Sequence, residues 1–243
     1  LEEIKDNLNI ALEIINTLLQ NKEIKKSENV ELYQQYVGND EVESLCDMIA
    51  EKMGFNIYRL DNTLNLCVMI DNKVFGYSNE DLKKKIKILN KNEDIYLMYF
   101  IILTIITCFY RESGLNSPRS YLGLDELIET INIKFQSLVK EDIEKISEEN
   151  EYNFRDIKKV WERLPDARED INSGKNDKIS FVKLVLNFMQ EENLIFFDEE
   201  RRIISITTRF KSIVYFYFEY SKENKNRLLE YVYELGGNEN ATY

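Results

Sequence analysis

The sequence predicts a mainly α-helical chain with small β-hairpins, an α+β fold built as two similar halves. Three observations predict it. The 243 residues include only 8 Gly and 2 Pro, too few for the many turns of a loop-rich or all-β architecture. Long Lys/Glu/Ile/Leu segments place apolar residues at helical spacing. Two apolar runs, one in each half, double back around a polar turn as a hairpin does. Hydrophobic residues make up 44% of the chain, enough for a well-buried core and too many for a disordered protein. The abundance of Ile, Asn and Lys is put down to an AT-rich genome.

The first half starts with a helix over 2–20, where Ile4, Leu8, Ala11, Leu12, Ile15, Leu18 and Leu19 form a broad apolar stripe. A second helix is expected near 29–37. A third spans 40–53 with Val42, Leu45, Cys46, Ile49 and Met53 on one face, and Gly54 ends it as a left-handed cap. "FNIYRLDNTLNLCVMI" (55–70) reads as two strands around Asp61–Asn62. Ser78 with Asp81 resembles a capping box that opens a helix to Leu89. An apolar helix over 93–111 closes the half.

Within that last helix, "IYLMYFIILTIITCFY" (95–110) has sixteen residues and no charge. Sixteen helical residues reach roughly 24 Å, against a hydrocarbon core of ~30 Å. Acidic residues stand at both ends, Glu93–Asp94 and Glu112, with no basic cluster to set an orientation. We read it as a buried central helix; a membrane span is the competing reading. No signal-peptide pattern is read at the start. The chain opens on Leu1, so a natural start upstream is expected, in the cytoplasm.

"ESGLNSPRSYL" (112–122) holds Gly114, Ser117, Pro118 and Ser120 and reads as a linker. Helices are expected near 123–139, 140–149 and 153–163, the last closed by Leu164–Pro165. A polar stretch follows. A helix near 178–192 then buries Val182, Val185, Leu186 and Met189. "LIFFDEERRIISITTRF" (194–210) is the second hairpin, and a helical region runs from about Thr207 to Leu235. Its aromatic run "VYFYFEY" (214–220) is open to a strand reading, since aromatics favour both.

Each half therefore reads helix, helix, helix, hairpin, helix. That order is the winged-helix pattern, and it occurs twice. The expected organisation is a first winged-helix domain over 1–111, a linker over 112–122 and a second winged-helix domain over 123–243.

The net charge is −12. Residues 1–120 carry 14 basic and 19 acidic groups, and residues 121–243 carry 18 and 25, so neither half attracts nucleic acid or anionic membrane broadly. The chain has no His, the commonest general base and metal ligand, and no Gly-rich phosphate loop. Cys46, Cys67 and Cys108 lie 21 and 41 residues apart among apolar neighbours. Zinc and redox motifs need closer spacing, so they read as small buried hydrophobes of a reducing compartment. No catalytic residue, cofactor site or metal site is selected.

Two basic groups remain. Arg201, Arg202, Arg209 and Lys211 surround the second hairpin and are the candidate DNA-phosphate contacts. Asp198, Glu199 and Glu200 share that tip and oppose the idea, so the plain reading is an exposed turn whose charges stay solvated. Lys83, Lys84, Lys85, Lys87 and Lys91 spread around a helix whose Leu82, Ile86 and Leu89 keep an apolar face. A solvated helix face is the plain reading there; DNA or an acidic partner is the functional one.

"FNIYRLDNTLNLCVMIDNKVFGYSNEDL" followed by "NEDIYLMYFIILTIITCFY" resembles the small subunits of bacterial condensin-like complexes. These are the MukE-type or KITE proteins (kleisin-interacting tandem winged-helix elements), and the likeness is nearest to the MukE-like subunit of the Wadjet plasmid-defence systems. "IFFDEERRIISITTRFKSIVYFYF" is similar to the second winged helix of such proteins. The resemblance covers most of the chain, through element order and hydrophobic texture. It implies a non-catalytic scaffold subunit, a homodimer that grips a kleisin and through it an SMC ATPase. DNA would be held by the whole complex, with ATP hydrolysis and DNA cleavage in other subunits. The helix 40–53 has Lys52 against Asp40, Glu41, Glu43, Asp47 and Glu51, which disfavours sequence reading in a DNA groove. The alternative is a tandem winged-helix transcriptional regulator.

Overall fold

The computed structural model describes residues 2–69, 72, 74–110, 118–138, 154–166 and 177–220. They are mostly helical with two small antiparallel sheets, the α+β class read from the sequence. The described residues divide into two compact units, one formed by the chain up to Tyr77 with Thr208–Tyr220, the other by Ser78–Thr207.

The first unit runs α1 (Glu2–Asn21), β1 (Glu23–Lys25), α2 (Val30–Gly38), α3 (Asp40–Met53), β2 (Phe55–Leu60) and β3 (Thr63–Val68). Its strands are ordered β1-β3-β2. α1 buries Ala11, Ile14, Ile15 and Leu18. The outer flank of the expected stripe stays in solvent, with Ile4, Leu8 and Leu12 exposed by 58%, 39% and 49%. Asn39 caps α3 by accepting from the amides of Glu41 and Val42. Gly54 ends that helix at φ 77°, as expected, and its amide donates to Glu51 O. Asn72 braces this corner, donating from Nδ2 to the carbonyls of Met53 and Gly54. Asp61 and Asn62 both take positive φ, the two-residue turn whose twist suits a hairpin.

Helix α9 is the C-terminal segment Thr208–Tyr220 and packs on β2 and β3. The aromatic run is thus helical through Tyr220. Arg209, only 6% exposed, donates from Nη1 to Lys22 O at 2.9 Å and Leu66 O at 2.8 Å. Buried Asn65 donates to Ser212 Oγ, and the Tyr217 hydroxyl to Val68 O. Tyr58 meets Phe216 edge to face.

The second unit contains α4 (Asn79–Lys85), α5 (Asn92–Tyr110), β4 (Leu122–Gly123), α6 (Leu124–Ser137), α7 (Phe154–Arg163), α8 (Lys178–Glu191), β5 (Ile195–Asp198) and β6 (Ile203–Ile206). Its strand order is β4-β6-β5. The Ser78–Asp81 capping box is present, but α4 stops at Lys85, short of the expected Leu89. Beyond it, the amides of Asn90 and Lys91 donate to Asp94 at the start of α5. α5 packs against α4, α6, α7 and α8. Phe100 stacks on Phe135 with ring centroids 4.4 Å apart, and Phe135 on Trp161 at 6.0 Å. Trp161 Nε1 donates to Asn132 Oδ1. By length and composition α5 is apolar enough to cross a membrane, and 56% of its most apolar window is buried by protein. On the edge strand β5, the Phe197 amide donates to Gln190 Oε1 at 2.8 Å, while Phe196 is 62% exposed.

The unit boundaries differ from the expected domains 1–111 and 123–243. Residues 78–110 group with the second unit and 208–220 with the first, because α5 packs on α6, α7 and α8 while α9 covers β2 and β3. The expected helix 140–149, residues 112–117 of the linker and residues 221–235 of the last helical region lie outside the described residues, as do the side chains of Phe218 and Tyr220.

Candidate functional site

The four candidate phosphate contacts have unlike environments. Arg209 is corrected outright: it is buried, and its guanidinium donates to two backbone carbonyls of its own unit, Lys22 O and Leu66 O. Lys211, next but one along α9, is half-buried. Arg201 and Arg202 sit in the β5–β6 turn of the other unit and are compensated locally. Arg201 Nε lies 3.8 Å from Asp198, Arg202 bonds Asp125, and Glu199 pairs with Lys183 at 3.2 Å. This tip is a web of neighbouring opposite charges, each pair worth little in water.

The two helices that precede the hairpins, α3 and α8, offer better-defined surfaces. Asp40, Glu43, Asp47 and Glu51 recur along α3 at i, i+3, i+7 and i+11, so all four fall on one side of the helix. Asp47 accepts from the Tyr36 hydroxyl at 2.9 Å. Burial first, then the Asp47 charge, raises the pKa of that hydroxyl. Glu41 accepts from Asn7, and Asn7 from Asn39, which ties the start of α3 to α1. A shallow hollow of about 670 Å³ beside α2 is lined by Gln34, Gln35, Asn39, Asp40 and Glu41 among others.

α8 carries two apolar stripes. Val182, Val185, Leu186 and Met189 enter the core, as the sequence indicated. Phe181, Leu184 and Phe188, at i, i+3 and i+7, line a groove of about 600 Å³, with both Phe rings buried and Leu184 half-buried. Ile86 and Ile88, from the turn after α4, form the facing wall, and Lys85, Lys87, Lys183 and Glu191 line it as well. Lys85 is anchored, 2.5 Å from the buried Glu192 carboxylate and 5.3 Å from the Phe188 ring centroid. Sequence reasoning missed the groove, although the Phe181–Leu184–Phe188 spacing was its signal.

Among the described residues no cluster of three or more His, Cys, Asp or Glu side chains is placed to hold a metal. Burial pushes the Cys46 and Cys67 thiols up to about 12, and it raises Cys108 as well. All three therefore stay protonated near neutral pH, the unreactive form. These surfaces are suited to binding by apolar and ionic contact.

Fold and surfaces together define a class, an α+β chain of two units that share one strand order. The chain belongs to DUF6063, a family of unknown function whose match covers residues 1–239. No curated protein matches it.

Proposed function

We propose that each unit is a winged helix and that the chain is a non-catalytic scaffold, a MukE-like KITE subunit of a bacterial condensin-like SMC complex. In that role it forms a homodimer in the cytoplasm, binds a kleisin and through it the SMC ATPase, and serves defence against plasmids or other foreign DNA. The observation that carries the reading is the repeated strand order. In each unit a short first strand pairs with the last strand of the hairpin, β1-β3-β2 and β4-β6-β5, and a helix runs directly into the hairpin, α3 in one and α8 in the other. A tandem of that pattern is what the resemblance implies.

The surfaces favour protein over DNA as the direct partner. α3, in the position from which a winged helix ordinarily reads a groove, is lined with carboxylates that repel phosphate. The exposed apolar flank of α1, Ile4, Leu8 and Leu12, is the surface we assign to dimerisation. The transcriptional-regulator reading draws its support from the lysines near α8 and predicts salt-dependent preference for one duplex.

Light scattering decides between them. The scaffold reading expects twice the chain mass of 29.0 kDa for the protein alone, and a stoichiometric complex after co-expression with a kleisin-like product of a neighbouring gene. A monomer that ignores every such neighbour would sink it.

A further inference from the structure

We infer that the groove between α8 and the turn after α4 is a docking site for an acidic amphipathic helix of a partner protein. The inference rests on the scaffold reading only in taking the occupant to be protein. Its lining sets half-buried Ile86, Ile88 and Leu184 beside the buried rings of Phe181 and Phe188, apolar surface that a phosphate backbone cannot use. A helix with apolar anchors at i, i+3 or i+4 and i+7 can use it by laying those anchors over Leu184 and the two isoleucines.

Charge selects the sign of the occupant's flanks. Lys85 is held by the buried Glu192 carboxylate and belongs to the groove's own architecture. Lys183 is paired with Glu199, a hairpin-turn side chain 63% exposed, and an incoming carboxylate replaces such an exposed partner at little cost. Lys87 is exposed, with no ion pair among the described residues. Glu191 disfavours a carboxylate at its own position. On a chain of net charge −12, a groove with two exchangeable ammonium groups beside an apolar floor complements an acidic amphipathic segment. A long polyanion meets the repulsion of the whole molecule.

The test uses the full chain and three fluorescent probes. One is an amphipathic helical peptide of about fifteen residues made of Leu and Glu, the second replaces every Glu by Lys, and the third is a duplex of about twenty base pairs. The Glu peptide is expected to bind. Its affinity should fall about tenfold or more in the double variant Lys87→Glu/Lys183→Glu and in Leu184→Glu, with thermal melting of the first unchanged. Equal binding of both peptides, Glu-peptide binding that ignores all the variants, or no Glu-peptide binding would overturn the proposal. Duplex binding abolished by the lysine variants would overturn it too, by assigning those lysines to phosphate. Failure to capture a kleisin-like neighbour counts against the scaffold reading alone, since the peptide titration is scored without any neighbour.

Discussion

The two units share one strand order and build different surroundings for it. In the first, the hairpin strands are six residues long around a two-residue turn, and α9 is pinned across them by Arg209, Ser212 and Tyr217. In the second, the hairpin strands have four residues and the tip is cross-braced by surface ion pairs. The helices before the hairpins diverge as well: α3 turns carboxylates outward, and α8 sets half-buried Leu184 and Lys183 along a groove. One strand order thus supports two surfaces of different chemistry, because only inward-facing residues are bound by the packing.

The comparison can be pressed through stability. Trp161 is buried and is the only Trp in the chain, so its fluorescence reports on the second unit. Trp161→Ala should cost about 3–5 kcal/mol, measured by urea denaturation followed by circular dichroism. Arg209→Met should cost about 2–4 kcal/mol, because two buried carbonyls lose a charged donor. Hydrogen exchange should then quicken in β2 and β3 while the amides of β5 and β6 keep their protection; equal loss in both sheets would break the comparison.

Gly54→Ala tests how the two helices end. At φ 77° an added Cβ would lie 2.5 Å from Asn72 Nδ2, so the brace to Met53 and Gly54 must shift. A loss of about 2 kcal/mol in chemical denaturation is expected. α8 ends without a left-handed glycine, on Glu192 at φ −83°.

Alkaline pH provides a smaller effect. Cys46 and Cys67 have folded pKa values raised to about 12, above the ~8.5 of a free thiol. A raised acid contributes its full stability below the unfolded value and loses it as pH climbs toward the folded one. Stability should therefore decline between about pH 8.5 and about 12, and less steeply in Cys67→Ala than in the unaltered chain at matched baseline. Smallest of all, Arg201→Ala at the exposed tip should change stability by less than about 0.5 kcal/mol in the same urea assay.

Local signals were legible in the sequence and long-range ones were not. Gly54, the Asp61–Asn62 turn and the Ser78–Asp81 capping box could each be read because their physics is completed within a few residues. β1 and β4 escaped notice: three and two residues long, they become strands only by pairing with β3 and β6. The grouping of α5 with the later helices was not legible for a related reason. α5 is apolar on every side, so its sequence does not tell which helices will pack against it. Arg209 was read as surface charge, yet with Ser212 and Phe216 it marks a buried row at i, i+3 and i+7. Of the candidate sites, the lysines after α4 were visible, whereas the groove they line needed α8 beside them.

Gln190 has a consequence for handling as much as for architecture. Leu194 to Phe197 is an apolar, uncharged tetrapeptide on an open strand, the composition that recruits identical strands into fibres. By taking up the Phe197 amide, the Gln190 oxygen blocks one rung of that ladder to any incoming chain. A single neutral side chain, outside both candidate surfaces, thus leaves one donor fewer on that edge for strand addition.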